Sequence, residues 1–370
     1  MPTRVSIGRV FLIALLGLGT AEGAVAKRTG RPRASTSVSA GGRMVPGFGS
    51  STTGGSGRSV LTVTTLADEG SGSLRDVLSK ARLGGGTIRF SVGGGIDLYS
   101  GLDVPAHTTI DGSSAPSPGI TLWGEHTGTG GTGVVNVGES DVVIRGLRIR
   151  NGANDGVHVA PRHGHAISHI VVEHCSITNS GDGGIDLTGY RGFTVTDVTI
   201  MGNYFAGNGA PCAKGTCGGA SLMKYGANRV SYYYNFWDKD LRRTPAVSAG
   251  NRGYDALADI RYNYVRWPEE SGIQIRDGAR ANVIANTLEG AKATIVVKLW
   301  GGHAHLEDNP SDLADGGDIP DPVPVPDVPA GKSPAEVASA AGALPRDGVD
   351  RRYIDGTKAF REVKATPPGH

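Results

Sequence analysis

Short apolar segments that read as β-strands recur along the middle of the sequence at nearly regular intervals. A glycine, a histidine or an asparagine occupies the matching place in each segment, and successive places lie 23 to 32 residues apart: Gly146, His174, Asn203, Asn235, Asn263 and Asn286. Repeats of this length are typical of solenoids and propellers. A propeller blade takes about 40 residues and four strands, so the shorter period predicts an all-β solenoid, a parallel β-helix whose coils stack on one another.

The recurring asparagine suits the corner of such a coil. Asn tolerates a left-handed backbone bend, and its side chain can hydrogen-bond to the matching side chain of the next coil. Glycine supplies further turns, because 59 of the 370 residues are Gly, roughly twice the usual share. This glycine content excludes a long-helix protein, and the lack of a G-X-Y period excludes collagen. A β-sandwich with chance Asn-aromatic pairs in its turns is the alternative.

The sequence divides into four segments. Arg4 and Arg9 precede an apolar stretch, residues 10–19, that is too short to span a bilayer, and residues 24–26 (Ala-Val-Ala) fit a cleavage site. These features predict a secretory signal peptide, with an uncleaved membrane anchor as the alternative. The predicted segments are a signal peptide 1–26, a disordered lead-in 27–55, a β-helix catalytic domain 56–300 and a Pro/Asp-rich tail 301–370 that packs on the helix or trails from it.

A short N-terminal helix is predicted to cap the solenoid. Behind Ser73, a suitable N-cap, the apolar residues Leu74, Val77 and Leu78 have helical spacing. A solenoid needs such a cap, because its end coil would otherwise expose apolar surface and unpaired strand edges.

Charge and cysteine content limit the partners and the compartment. The sequence has 37 Lys and Arg against 35 Asp and Glu, so no global field selects nucleic acid or an anionic membrane. After signal cleavage we therefore expect a secreted monomer that binds neither. In an oxidising compartment the spacing of Cys212 and Cys217 suits a local disulfide, and a zinc site is the alternative. Cys175, inside an apolar strand, is predicted to be buried packing.

Two aspartates, Asp182 and Asp186, mark a candidate cation site. On a straight strand their side chains would face one side but lie about 13 Å apart, too far to share one ion, whereas the intervening Gly183-Gly184 can bend them together. A hard cation such as Ca²⁺ takes about six to eight oxygens, so a third carboxylate is needed, and Asp155 comes one coil earlier. An ordinary Asp-Gly turn is the alternative.

Arg242 and Arg243 mark a second candidate site, two coils after the aspartate pair. Stacked coils bring residues about 60 positions apart to within roughly 10 Å, because neighbouring strands are about 4.8 Å apart. An arginine above a bound cation is unfavourable unless an anionic ligand lies between them. A solvated surface pair is the alternative.

Taken together, the region from about Gly85 to Glu289 resembles one family. The residues that carry the likeness are the His-Cys-Ser tripeptide 174–176, the D-x-x-x-D pair 182 and 186, the N-x-F/Y strands and the R-x-P motif 243–245. The tail segment 341–352 also looks like the closing segment of bacterial members. The chain resembles the pectate lyases, a family that folds as a right-handed parallel β-helix.

This resemblance implies calcium-assisted β-elimination of polygalacturonate, an acidic polysaccharide. Asp155, Asp182 and Asp186 match the calcium ligands, and Arg243 matches the base that takes the C5 proton. Free arginine is a poor base because its guanidinium normally stays protonated, but a cation on the uronate carboxylate acidifies the C5 proton. An alkaline pH optimum is the expected consequence.

The sequence departs from the family pattern at three positions. Gly219 stands where the family has a substrate-binding lysine, Ser248 where it has the second arginine of R-x-P-x-x-R, and Ala153 where it has a further acidic ligand. Lys224 or Lys214 is a candidate for the missing lysine contact. Arg276, from a later coil, is a candidate for binding a substrate carboxylate, with a plain surface charge as the alternative.

Other functions fit parts of the pattern. The altered basic positions permit a lyase of the same fold that acts on a different uronate-containing polysaccharide. A non-catalytic β-helix that binds polysaccharide is the alternative outside the enzymes. A polygalacturonase-type hydrolase is disfavoured, because inverting hydrolysis needs clustered carboxylates and the strand region has no Asp-Asp pair.

Overall fold

The computed structural model describes residues 45–127, 132–212, 215–250, 253–290, 296–299, 301–310 and 318–356. In these residues the chain winds through three parallel sheets and returns to each of them once per coil. The predicted parallel β-helix is therefore confirmed, and its coils stack in chain order.

The strands and helices have the following bounds. The first sheet contains β1 (Val60–Val63), β2 (Gly86–Phe90), β5 (Thr108–Asp111), β8 (Val142–Arg145), β11 (Ile167–Glu173), β14 (Val195–Met201), β19 (Ala227–Tyr233), β22 (Leu257–Arg261), β25 (Arg280–Ile284) and β28 (His303–Glu307). The second contains β3 (Gly94–Asp97), β6 (Ile120–Trp123), β9 (Leu147–Arg150), β12 (Ser176–Thr178), β15 (Tyr204–Ala206), β20 (Phe236–Asp238), β23 (Tyr264–Arg266) and β26 (Thr287–Glu289). The third contains β4 (Leu102–Val104), β7 (Gly133–Val137), β10 (Asp155–Val159), β13 (Gly183–Thr188), β18 (Gly219–Lys224), β21 (Ala246–Ser248), β24 (Ile273–Arg276) and β27 (Val296–Leu299). A hairpin of β16 (Ala210–Cys212) and β17 (Gly215–Cys217) lies between β15 and β18, and the helices are α1 (Leu74–Ala81), α2 (Pro334–Ala340) and α3 (Gly348–Asp355).

Alternate strand residues fill the interior and fix the register. In β13, Ile185 and Leu187 are fully buried in the core, and Asp186 between them lies on the outer face. Burying an aliphatic side chain of this size contributes about 1.5–3 kcal/mol. A slip of one residue would exchange the two faces, so the apolar pattern holds each coil in one register.

The predicted asparagine stack is confirmed as a ladder of buried side chains. Asn203 donates through its backbone N and its Nδ2 to Asn235 Oδ1, both at 3.1 Å, and Asn235 donates in the same way to Asn263 Oδ1 at 2.9 and 3.1 Å. Asn263 continues the ladder to Asn286, and Asn286 N donates to Asn309 Oδ1 at 3.0 Å. These bonds satisfy buried polar groups at each corner.

The left-handed bend lies one residue earlier than the sequence predicts. The residue directly before each ladder position has a positive φ angle of 50 to 61°. These bend residues are His174, Gly202, Tyr234, Tyr262 and Ala285. Consequently Cys175, and not His174, occupies the ladder position of its coil, and its backbone N donates to Asn203 Oδ1 at 2.9 Å. The asparagine stabilises the bend by hydrogen bonds to its neighbours and does not itself adopt the bend.

A second ladder, which the sequence did not indicate, ends in a buried carboxyl group. Ser180 N donates to Asn208 Oδ1, and Asn208 donates through N and Nδ2 to Asp240 Oδ1 at 3.0 and 2.9 Å. Burial raises the pKa of Asp240 to about 8. Asp240 Oδ2 is buried without a hydrogen-bond partner among the described residues.

Asp240→Asn is therefore expected to stabilise the protein at alkaline pH. The raised pKa means that the folded state disfavours the charged carboxylate, so wild-type stability falls as pH rises from about 4 through about 8. Asparagine stays neutral and keeps the acceptor Oδ1, so its free energy of unfolding should exceed that of wild type by about 1–2 kcal/mol at pH 9. Urea unfolding at several pH values measures this gap, which should shrink towards pH 4; a constant gap would contradict the explanation.

The N-terminal cap matches its prediction, whereas the end of the lead-in does not. Ser73 caps α1, whose Leu74, Val77 and Leu78 are buried. The predicted lead-in 27–55 is packed at its described end, residues 45–55: Phe48 is buried and its N donates to Ser231 Oγ at 3.0 Å. Residues 1–44, including the predicted signal peptide 1–26, lie outside the described residues.

The predicted tail also begins with regular structure. Strand β28 adds to the first sheet, so the coils extend past residue 300. Further on, the segment that contains α2 and α3 packs over the second sheet, where the fully buried Arg150 Nη2 donates to Asp350 Oδ1 at 2.8 Å and Ser176 Oγ donates to Asp350 Oδ2 at 2.7 Å. This pairing compensates the buried charges and holds the segment in place.

The cysteine predictions have separate outcomes. Cys175 is buried, as predicted, and burial raises the pKa of its thiol to about 12. The side chains of Cys212 and Cys217 lie outside the described residues, so the disulfide stays a prediction. Among the described residues, we find no helix with the length and apolarity needed to cross a membrane.

Candidate metal-binding and catalytic site

The outer face of the third sheet brings chemical groups from successive coils into one row. Pairing between neighbouring strands places Asn136 beside His158, His158 beside Asp186 and Asp186 beside Leu222. The residues between them along each strand face the core, as Val157, Ile185 and Met223 do in β10, β13 and β18. The predicted site residues converge on this outer face of the third sheet, which we name the groove.

The three predicted cation ligands lie together at the start of β10 and β13. One carboxylate oxygen from each of Asp155, Asp182 and Asp186, the acidic cluster, lies within 4.8 Å of the others. Gly183 N donates to Asp155 Oδ1 at 2.8 Å, and Leu222 N donates to Asp186 Oδ1 at 3.1 Å. Backbone donors therefore orient the two buried carboxylates towards a common point.

Gly183 makes this convergence possible. A Cβ atom at this position would lie 2.3 Å from Asp186 Oδ1 and 3.0 Å from Asp155 Oδ1. Gly184 has a different role, because a Cβ there would face inward and lie 2.9 Å from Phe205 Cδ1. The sequence predicts that the Gly-Gly pair lets the aspartates approach. Of the two glycines, Gly183 is the one that this approach requires.

The acidic cluster is electrostatically unfavourable without a positive charge. Burial raises the pKa of Asp155 to about 7, with Asp182 adding repulsion and the Gly183 N–H opposing the shift. Burial, together with Asp155 and Asp182, raises the pKa of Asp186 well above its ordinary value. A divalent cation would relieve this repulsion, and carboxylate oxygens are the donors that hard cations such as Ca²⁺ prefer.

Arg243 faces the acidic cluster from two coils away. Its positive charge opposes the upward pKa shifts of both Asp155 and Asp186. Its Nε is buried and has no hydrogen-bond partner among the described residues. Its backbone is left-handed, with φ 60°, and its carbonyl accepts from Ser221 N at 2.9 Å.

The neighbouring Arg242 is engaged in structural contacts. Its Nε donates to Gly218 O at 3.1 Å, and its Nη1 donates to Glu270 Oε2 at 3.1 Å. The sequence shows only an Arg-Arg pair, and the structure separates the two: Arg242 ties coils together, whereas Arg243 presents a buried donor on the side of the acidic cluster.

Gly219 stands where the family has a lysine. It lies on the coil between that of Asp182 and that of Arg243. Gly219 N donates to Asp182 O at 3.0 Å, and a Cβ at this position would lie 2.3 Å from Arg242 O and 3.0 Å from Arg243 Cβ. Its φ of 152° also favours glycine. Any side chain here would displace the backbone that carries Arg243.

Gly219→Ala is expected to lower the free energy of unfolding by about 1–3 kcal/mol, because the new Cβ meets backbone atoms. Gly57→Ala is the matched control, since Gly57 also has positive φ but has open space around its Cβ position. Urea unfolding compares the two variants. An equal loss in both would show that the close approach at Gly219 has no energetic consequence.

The predicted substrate contacts lie in a second outward row, nearer the ends of the strands. Ser248 pairs with Arg276, and Lys224 directly precedes Ser248 in this row, because Met223 pairs with Val247. Lys224 and Arg276 therefore flank Ser248 on both sides, roughly 10 Å apart. Lys214 lies outside the described residues, so the alternative for the lysine contact stays a prediction.

Arg276 interacts electrostatically with Arg243, the candidate base. Burial lowers the pKa of Arg276, Asp277 opposes this shift, and Arg243 and Arg242 add to it. Its Nη1 also donates to Gln274 Oε1 at 3.4 Å. Three arginines thus concentrate positive charge along the groove, which favours an anionic ligand.

His158 is the site residue that sequence reasoning missed. Its Nδ1 lies 2.6 Å from Asp155 Oδ2, and burial and the charge of Arg162 lower its pKa. The signal was present, because position 158 lies between the apolar residues Val157 and Val159, so strand alternation places it on the outer face, beside Asp186 of the next coil. His158 holds Asp155 Oδ2 and the Gly183 N–H holds Oδ1, so two partners fix the orientation of this carboxylate.

Comparison with known proteins gives both the fold and the relatives. A profile of the family described as "Right handed beta helix region" matches residues 132–310. The chain is 27% identical over 271 residues to "Probable pectate lyase C" of Emericella nidulans, a match that covers 71% of this chain and 57% of that protein. The matched part thus spans little more than half the length of this relative.

Solved structures show the same architecture at low sequence identity. A pectate lyase of a Bacillus species in complex with trigalacturonate has a TM-score of 0.57 and 15% identity, with 80% of this chain and 98% of that chain covered. The cedar pollen allergen Jun a 1 has a TM-score of 0.55 and 19% identity, with 80% and 92% covered. The right-handed parallel β-helix and the resemblance to pectate lyases are therefore confirmed.

Proposed function

We propose that this chain is a secreted pectate lyase that cleaves polygalacturonate by calcium-assisted β-elimination. The observation that carries the proposal is the arrangement in the groove: Arg243, with a buried Nε that has no partner among the described residues, faces the acidic cluster across two coils. The similarity to pectate lyases supports the reaction, and the apolar N-terminal stretch supports secretion.

The acidic cluster fits a calcium ion. Its donors are all oxygens, two of its carboxylates are buried beside one another, and backbone N–H groups hold one oxygen of each. Asp155, Asp182 and Asp186 would hold the ion. Bound there, Ca²⁺ would polarise a uronate carboxylate, make the C5 proton more acidic and balance the negative charge that develops.

Arg243 acts as the base in the proposed reaction. Its guanidine accepts the proton from C5 of the uronate, the electron pair forms a double bond between C4 and C5, and the C4–O bond to the neighbouring sugar breaks. The leaving oxygen takes a proton from solvent and Arg243 returns the C5 proton to solvent, so no oxidant or water molecule is consumed. Because a guanidinium must give up its proton before it can accept one, we expect activity to increase towards alkaline pH.

Lys224 and Arg276 supply the substrate contacts in this proposal. Both extend from the outward row that contains Ser248, so positive charge lies one coil to each side of the position where the family arginine is missing. Uronate carboxylates along the polysaccharide can pair with these two side chains. Because these charges lie one coil away from the position that the family arginine occupies, a second candidate is a lyase for another uronate-containing polysaccharide.

Incubation with a panel of uronate polysaccharides, with and without a calcium chelator, tests the proposal. The unsaturated uronide absorbs ultraviolet light, so β-elimination can be followed directly. We expect absorbing product from polygalacturonate only when calcium is present. Product from another uronate polymer alone would favour the second candidate, and binding without product from any polymer would contradict lyase function.

A further inference from the structure

Two aromatic side chains are exposed on one turn at the rim of the groove. Tyr190 is 44% and Phe193 is 36% exposed, and both belong to the rim turn, residues 190–193, directly after β13. Aromatic side chains gain most from burial, so two exposed rings on one short turn indicate a contact surface. The same strand carries Asp186 of the acidic cluster.

The rim turn is closed by two backbone hydrogen bonds and presents both rings together. Tyr190 N donates to Phe193 O and Phe193 N donates to Tyr190 O, both at 3.0 Å. The central residues Arg191 and Gly192 have φ angles of 51 and 90°, as a type I′ turn requires. Directly paired residues in such a hairpin extend their side chains from one face, with Cβ atoms about 5 Å apart.

The rim turn is hydrogen-bonded to the strand that carries Lys224, one of the two proposed substrate contacts. Gly189 N donates to Lys224 O at 3.1 Å, and a Cβ at Gly189 would lie 1.9 Å from Tyr225 O. The Nζ of Lys224 lies 4.2 Å from the centroid of the Tyr225 ring. The exposed rings and Lys224 therefore border the same stretch of groove.

Positive charge accompanies the rings. The guanidinium carbon of Arg191 lies 5.1 Å from the centroid of the Tyr190 ring. Arg191 adopts a positive φ, which is unfavourable for a residue with a Cβ, at the tip of the turn. A uronic acid unit complements this surface, because its ring has an apolar face and its edge carries a carboxylate.

We propose that the rim turn is a binding subsite for a uronic acid unit of the polysaccharide, with Tyr190 and Phe193 against the sugar face and Arg191 paired with the carboxylate. The subsite rests on the lyase function proposed above and extends its substrate contacts to the turn beside Lys224. The two rings contribute affinity, and Arg191 distinguishes a free carboxylate from an esterified one.

Affinity electrophoresis in gels containing polygalacturonate tests the subsite in the Arg243→Ala background, in which the polymer is not consumed. We expect the added pair Tyr190→Ala and Phe193→Ala to weaken binding about tenfold. The conservative pair Tyr190→Phe and Phe193→Tyr should keep the affinity. Leu344→Ala is the matched control, because Leu344 is 56% exposed and belongs to the segment over the second sheet.

Arg191→Gln separates the ionic contact from ring stacking. It should weaken binding to polygalacturonate but leave binding to methyl-esterified pectin unchanged. Unchanged affinity in the double alanine variant would overturn the subsite, as would an equal loss in the Leu344 control. Wild-type protein that forms no unsaturated product would refute the lyase, whereas the binding measurement would still decide whether the rim turn holds a uronate.

Discussion

Replacing Arg243 with alanine should lower the rate of β-elimination by at least about a thousandfold. The neighbouring Arg242 should not replace Arg243 as the base, because Arg242 is held by Glu270 and Gly218. Folding should be preserved, since the Arg243 side chain is only partly buried and its backbone carbonyl keeps the hydrogen bond from Ser221 N. Initial rates from ultraviolet absorbance and thermal unfolding curves measure the two effects.

Arg242→Ala is the matched control for this variant. It removes an equal charge from the adjacent position and breaks the contacts to Glu270 and Gly218, so it should lower the unfolding temperature more than the loss of Arg243 does. Its activity should stay within about tenfold of wild type. Full activity in the Arg243 variant, or equal losses in both variants, would show that Arg243 is not the base.

Asp186→Asn should weaken calcium binding about a hundredfold and at the same time stabilise the calcium-free protein. Both effects follow from one cause: burial and the neighbouring Asp155 and Asp182 raise the pKa of Asp186 well above its ordinary value. A raised pKa in the folded state means that stability falls as pH rises above the ordinary carboxyl range, and asparagine removes this loss. The Asn Oδ1 can still accept from Leu222 N.

Isothermal titration with calcium and urea unfolding in chelator measure the opposed effects. Asp103→Asn is the matched control, because Asp103 is an exposed carboxylate on the third sheet that pairs with Asn136, outside the acidic cluster. It should change neither quantity. Undiminished calcium affinity in the Asp186 variant would remove Asp186 from the cation site, and a less stable calcium-free variant would contradict the electrostatic explanation.

Sequence reasoning predicted the fold and the proximity of the candidate site residues because both depend on register. The spacing of the strand segments predicts stacked coils, and in stacked coils Asp155 falls beside the Asp182 and Asp186 coil, with Arg243 two coils further on. Apolar residues such as Ile185 and Leu187 hold that register through burial. The spacing of these residues in the sequence was therefore enough to predict that they lie together.

Other features depend on contacts that a linear pattern does not contain. The left-handed bend precedes each ladder asparagine because the Asn side chain bonds to its neighbouring coil. Residues 45–55 are ordered because Ser231 and Thr199, distant in sequence, accept their N–H groups. The requirement for glycine at position 219 also comes from a contact distant along the chain, because Arg242 and Arg243, which leave no room for a Cβ there, lie on the next coil.

We propose that the chain breaks polygalacturonate by elimination at a site that combines the acidic cluster with Arg243. Mass spectrometry of the products, with calcium and with chelator, distinguishes this reaction from hydrolysis, because elimination leaves one fragment lighter by a water molecule and hydrolysis adds a water. We predict that with calcium every new non-reducing end carries the C4–C5 double bond, and that chelator stops cleavage. Saturated, fully hydrated fragments, or an uncleaved polymer in the presence of calcium, would contradict the claim.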